Sequence, residues 1–203
     1  MNLICGVLLA AGKSSRFGKH KLLHPLPSGE PIGIAAARRL LSVLPESVAV
    51  LRPEDSELID RFTAIGIRII ENQEADSGMG SSLAQGVAAT PADSHGWVIM
   101  LADMPFILPT TIHAVVNSLD GTKSIVIPVC QGRYGHPIGF GRNYRESLTA
   151  LTGDRGARKV IRKHSAQVRT VNVEDPGIWC DVDTPSELEQ HLSSMEQTTC
   201  KNA

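Results

Sequence analysis

Along the first two thirds of the chain, short apolar runs alternate with longer stretches in which hydrophobic positions recur at helical spacing. The first kind reads as strands buried on both faces and the second as helices laid against them, the rhythm of a parallel sheet built from βαβ units. Strands are predicted over "LICGVLLA" (3–10), "SVAVL" (47–51), "IRII" (67–70), "GWVIMLA" (96–102) and "SIVIPV" (124–129). Helices are predicted over 32–44, 55–66, 81–90 and 109–119. In the first of them Ile34, Ala37, Leu40, Leu41 and Leu44 form one apolar stripe, and the last opens with a proline near its first turn.

After about residue 130 the pattern changes. "GRYGHPIGFGR" is rich in glycine, "GDRGARKVIRKH" suggests a basic helix, and "DVDTPSELEQHL" places Thr184, Pro185 and Glu187 in the order of a capping box with proline at the first helical position. No repeat or linker interrupts the chain. One α/β domain over residues 1–194 is expected, with the polar residues 195–203 as a disordered tail.

Composition narrows the function classes. With 42% hydrophobic residues in 203, the chain suits a globular domain that builds its core without disulfides or structural metal. Its 20 Lys and Arg are matched by 21 Asp and Glu, so no general attraction to nucleic acid or to a membrane is expected. The opening "MNLICGVLLAAG" lacks a basic n-region, and its apolar run is too short to cross a bilayer, so it reads as a strand rather than a signal peptide. Cys5, Cys130, Cys180 and Cys200 lie far apart without a C-x-x-C pair, which favours buried thiols in a reducing cytoplasm.

Candidate chemistry begins where the first strand ends. "GVLLAAGKS" misses the P-loop pattern because five residues separate Gly6 from Gly12, and Gly6 falls inside the strand rather than at the start of a loop. The strand instead ends, past Leu9, in the small residues Ala10 and Ala11, followed by Gly12 and then by Lys13, Arg16, Lys19 and Lys21. Small residues at a strand's carboxyl end let a flat ligand approach the backbone, and Arg16 and Lys21 can surround a polyphosphate. A solvated basic turn stays open on spacing alone. Asp103, directly after the strand "WVIML" and before Pro105, is a carboxylate at the sheet's carboxyl edge, where it can hold Mg²⁺ beside phosphates. Asp181 and Asp183 form a second acidic pair, one of which can simply favour the helix that starts at Pro185.

Taken together, these segments resemble a family. "LLAAGKSSRFGKHK" is similar to the L-A-[AG]-G-x-[SG]-x-R-[MF]-G-x-x-K signature of the MobA-like nucleotidyltransferases, in particular those acting on molybdenum cofactor. "GMGSSLAQGV" (78–87), "LADMPFI" (101–107), "GHPIGF", "TGDRGARKVI" (152–161) and "DVDTPSEL" (181–188) come after it in the family's order over nearly the whole chain.

The resemblance implies a three-layer α/β/α, Rossmann-like fold of the nucleotide-diphospho-sugar transferase type, with a mostly parallel mixed sheet. It implies a Mg²⁺-dependent nucleotidyltransferase whose partners are CTP, or another nucleoside triphosphate, and molybdopterin, with a molybdoenzyme as possible recipient. By the same resemblance Leu9, Ala10, Ala11, Gly12, Arg16 and Lys21 bind nucleotide together with Gly80, Ser81 and Ser82. Asp103 and Asp183 hold the metal with Asp181 behind them, and His136, Arg155 and Arg158 face the acceptor. The alanine form L-A-A-G, with Ala11 where guanylyl-transferring relatives carry a second glycine, points to cytidine. Transfer of GMP or UMP to molybdopterin, a sugar phosphate or another small phosphorylated acceptor, and a non-catalytic nucleotide- or cofactor-binding chaperone, remain as alternatives. Two positions depart from the pattern: Glu30 stands where relatives usually carry Lys, and Gly33 where an aliphatic residue is usual.

Overall fold

A computed structural model describes residues 3–13, 17, 21–154 and 156–201, with side chains to Ser194. Five strands form where the apolar runs predict them: β1 Ile4–Leu9, β2 Ser47–Leu51, β3 Arg68–Glu71, β4 Gly96–Leu101 and β5 Ile125–Cys130. The helices α1 Ile32–Val43, α2 Ser56–Ala64, α3 Met79–Ala88 and α4 Pro109–Asn117 separate them. Beyond these lie β6 Arg133–Tyr134, β7 Ile138–Gly141, α5 Arg145–Thr149, α6 Arg158–Lys163, β8 Val168–Asn172 and α7 Pro185–Lys201.

One eight-stranded sheet runs β3-β2-β1-β4-β7-β5-β6, with β8 paired to β5. The pairs β1–β2, β1–β4, β2–β3 and β5–β8 are parallel, while β7 is antiparallel to both β4 and β5. The expected mostly parallel mixed sheet is therefore present. Alternate residues of its strands feed two cores. Leu8, Ala49, Val98, Met100 and Val126 pack under α1, α2, α4 and α7, whereas Val7, Val50, Trp97, Ile99 and Ile125 pack under α3, α5 and α6. A strand whose two faces are both covered must be apolar at every position, which is why these segments read as unbroken runs.

Two local results refine the sequence reading. The capping box forms in a shifted version: Thr184 Oγ1 accepts from the Glu187 amide at 3.2 Å, while Glu187 Oε2 reaches past Thr184 to accept from the Asp183 amide at 2.9 Å. Helix α7 continues to Lys201, through most of the polar segment that is expected as a tail. Nothing in "SSMEQTTCK" breaks a helix, so a started helix propagates through polar residues. No helix among the described residues is long and apolar enough to cross a membrane.

Candidate active site

The sheet order reverses direction at β1. From there the chain moves outward to β2 and β3 on one side, and β4 lies on the other. Such a switch point leaves a crevice at the carboxyl ends of the strands. Leu9 and Leu101 are register partners at those ends, and the Ala102 amide donates to the Leu9 carbonyl at 3.0 Å. A cleft of about 540 Å³ opens there, and Leu9, Ala10, Ala11, Gly12, Lys21, Ser82 and Asp103 line it. Seven of the residues expected at the nucleotide are thus brought together from segments far apart in the chain. Arg16 lies outside the described residues.

Lys21 occupies the centre. It sits on the short 3-10 turn Lys21–Leu23, anchored by buried Leu22, and is itself only 7% exposed. Its Nζ donates to Asp103 Oδ2 at 2.8 Å and to Asp183 Oδ1 at 2.9 Å. Burial alone would lower the ammonium's pKa, but the adjacent Asp103 charge and the hydrogen bonds to both carboxylates outweigh it, so the pKa lies above the ordinary lysine value. The contact ties the loop after β1 to the turn after β4 and to the start of α7. The Val182 amide adds a hydrogen bond to the Asp103 carbonyl at 3.0 Å. Asp183, rather than Asp181, reaches this centre; Asp181 is exposed, and its carbonyl contacts His191.

The donor set fits a hard divalent cation. Two carboxylates converge, and Asp103 Oδ1 is shielded from solvent without a hydrogen-bond partner among the described residues. A buried acceptor left unpaired is costly, and a cation ligand relieves that cost. No group of three or more His, Cys, Asp or Glu residues forms a fuller cage among the described residues. Two carboxylates suit an ion that keeps several waters and takes further oxygens from phosphate.

Two glycines of "GMG" serve packing. Gly78 has φ +113°, and a Cβ there would meet Gly153 and Asp154; at Gly80 it would meet the Gly153 carbonyl oxygen at 2.7 Å. The Gly80 amide donates to that same oxygen at 2.8 Å, locking α3 to the loop 152–154. Because α3 begins at Met79, earlier than periodicity predicts, Gly80 and Ser81 fall in its first turn rather than on the cleft wall. Ser81 Oγ shares its one proton between the Gly78 and Glu74 carbonyls, at 2.8 and 2.9 Å, and accepts from Asn72.

Sequence reasoning missed Asn72 and Arg52. Asn72 is fully buried and donates to Ser81 and Ser82, while its Oδ1 accepts from the Glu74 amide and Gln85. Arg52 lines the cleft; its Nε donates to the Ala11 carbonyl at 2.8 Å and its Nη1 to Asp76 at 2.6 Å. Lys13 also pairs with Asp76, at 3.1 Å. The available signal was position, since Arg52 and Asn72 directly follow β2 and β3 much as Asp103 closely follows β4.

Beside the cleft lies a second cavity of about 240 Å³. Leu83, Ile99, Ile138, Phe140 and Ile161 make it apolar, and His136 and Arg158 supply polar groups. Leu9, Met79, Leu101 and Asp154 line both spaces. Burial lowers the His136 pKa, with Arg158 adding to the effect and the Asp103 charge opposing it. Arg155 lies outside the described residues. Both departures from the family pattern have local explanations: Glu30 pairs with Arg38 at 2.9 Å, and Gly33 packs so closely that a Cβ would stand 3.1 Å from that of Leu22.

The chain is similar to two curated proteins over nearly its full length. It is 30% identical to "Purine catabolism protein PucB" of Bacillus subtilis (strain 168), covering 95% of this chain and 97% of that one. It is also 30% identical to "Nicotine blue oxidoreductase" of Paenarthrobacter nicotinovorans, covering 91% and 94%. Among solved structures, Rv0371c of Mycobacterium tuberculosis H37Rv, in complex with manganese, superposes with a TM-score of 0.80 at 25% identity over 95% of this chain and all of that one. Residues 6–168 match the model of the MobA-like NTP transferase domain, and the chain belongs to that family of nucleotidyltransferases.

Proposed function

We propose that the protein transfers CMP from CTP to molybdopterin, releasing pyrophosphate, with Mg²⁺ as the working metal. The observation that carries this reading is the convergence of Lys21, Asp103 and Asp183 at the sheet's switch point, beside the small-residue floor of Ala10, Ala11 and Gly12. The manganese complex of Rv0371c supports a divalent ion in this family. The buried, free Cys5, Cys130 and Cys180 support a reducing, cytoplasmic setting.

The acceptor's phosphate oxygen attacks the α-phosphorus in line. A new P–O bond forms as the bond to the bridging oxygen breaks, and its electron pair leaves with pyrophosphate. The phosphate nucleophile is already ionised at neutral pH, so positioning and charge neutralisation matter more than base catalysis. Bound at Asp103 and Asp183, Mg²⁺ would neutralise charge that develops on the α-phosphate and leaving group. Lys21 faces the β- and γ-phosphates, and the sequence signature assigns the same task to Arg16. Ala11 limits the depth available to the base, and Ser82 lines the nucleoside side of the cleft. The apolar cavity takes the flat acceptor ring, with His136 and Arg158 at its polar groups; the sequence signature assigns Arg155 to the acceptor as well.

Pyrophosphate release measured with CTP, GTP and UTP, each with and without molybdenum cofactor, tests the reading. Turnover is expected with CTP and only when the cofactor is present. A preference for GTP would overturn the cytidylyl assignment, and turnover with a different phosphorylated acceptor would overturn the molybdopterin assignment.

A further inference from the structure

We infer that Lys21 is an internal counter-cation for the Asp103–Asp183 pair, and that a nucleotide must draw it away before both carboxylates can hold a divalent ion. Metal and nucleotide then bind with positive coupling, and the protein has only weak affinity for the metal alone. This role rests on the proposed reading of Asp103 and Asp183 as metal ligands.

Geometry supplies the argument. The ammonium donates to one oxygen of each carboxylate, at 2.8 and 2.9 Å. An ion held at about 2.0–2.1 Å from those oxygens would take the space the ammonium fills. A monovalent and a divalent cation cannot share that space, because their repulsion grows as solvent is excluded, and Lys21 is buried. The lysine has somewhere to go. Its side chain lines the cleft with Ala11, Gly12 and Lys13, where a polyphosphate offers a new anionic partner. Asp103 Oδ1, unused by the ammonium and shielded from water, has no hydrogen-bond partner among the described residues and stays available to a second cation. Until phosphate arrives, the lysine keeps the two carboxylates from repelling one another, and by linkage the metal must strengthen nucleotide binding by the factor through which nucleotide strengthens metal binding.

The test is Mn²⁺ binding without nucleotide, followed by the electron paramagnetic resonance of free Mn²⁺, in the wild type, Lys21→Met, Lys21→Gln, Lys21→Arg and Asp103→Asn. The two neutral variants are expected to bind on the order of tenfold more tightly, a mid-range coupling, and Lys21→Arg to match the wild type. If Lys21→Met fails to fold, Lys21→Gln decides, because its amide can still donate between the carboxylates. Should Asp103→Asn weaken Mn²⁺ binding while neither neutral variant tightens it, the counter-cation role is overturned and the metal site stands. Mn²⁺ binding that ignores Asp103→Asn would overturn both.

Discussion

The two neighbouring cavities share a wall but not a chemistry. The larger cleft sits at the ends of parallel strands β1 and β4 and gathers Lys13, Lys21, Arg52, Asp76 and Asp103. The smaller cavity lies over antiparallel β7 and α6 and is lined mainly by Leu, Ile and Phe side chains. Where parallel strands end at a switch point, the loops are free to carry charge. Where β7 returns alongside β4, its side chains Ile138 and Phe140 instead pack towards Ile99 and Trp97 in the apolar layer. On the proposed reading, donor and acceptor would sit on either side of Leu9, Leu101 and Met79, which line both spaces.

The largest expected effect breaks the polar side. Asp103→Asn should reduce transfer by about 10²–10³-fold, the range seen when one preorganised electrostatic group is lost. The fold should persist, because Lys21 keeps Asp183 as a partner. Pyrophosphate release and circular dichroism read the two outcomes, and a loss below tenfold would place the reaction elsewhere. A smaller effect should separate the cavities. Ile138→Phe narrows the apolar one, and the KM for acceptor should rise about tenfold, equivalent to 1.4 kcal/mol, with the KM for nucleotide unchanged. Equal changes in both would mean that the two spaces act as one.

The sequence showed the two halves unequally. The strands β1, β2, β4 and β5 are buried on both faces and stand out as apolar runs. By contrast β7, "IGFG", is half glycine, and a Cβ at Gly139 would crowd the Val115 side chain at 3.0 Å. β8, "VRTVN", is largely exposed, with no apolar run to mark it. Asp103 and Asp183 were legible from their places beside a strand end and a helix start. Their joint contact with Lys21 was not, since it spans 82 and 162 residues of sequence and is set by which strands are neighbours. Arg52 carried the same positional signal as Asp103, but a lone arginine after a strand also fits an ordinary surface ion pair.

The smallest expected effect concerns the apolar side and turns on His136. Its pKa is lowered by burial, so the unfolded chain takes up the proton first as pH falls. Between the unfolded value, about 6.5, and the lower folded one, the unfolded state binds more protons and stability drops with falling pH. Above the unfolded value this contribution is constant. His136→Gln removes the group at similar size, so its unfolding free energy in urea, measured from pH 8 to pH 5, should fall less steeply than that of the wild type. Arg158→Gln in the wild-type background should reduce the slope in part, because Arg158 helps to hold the imidazole neutral, whereas Asp103→Asn should steepen it by removing the charge that favours the proton. Identical slopes in wild type and His136→Gln would mean that His136 takes up its proton as readily in the folded protein as in the unfolded chain. The contrast between a charged cleft and a neutral cavity would then fail at His136, the one histidine among the described residues that line the cavity.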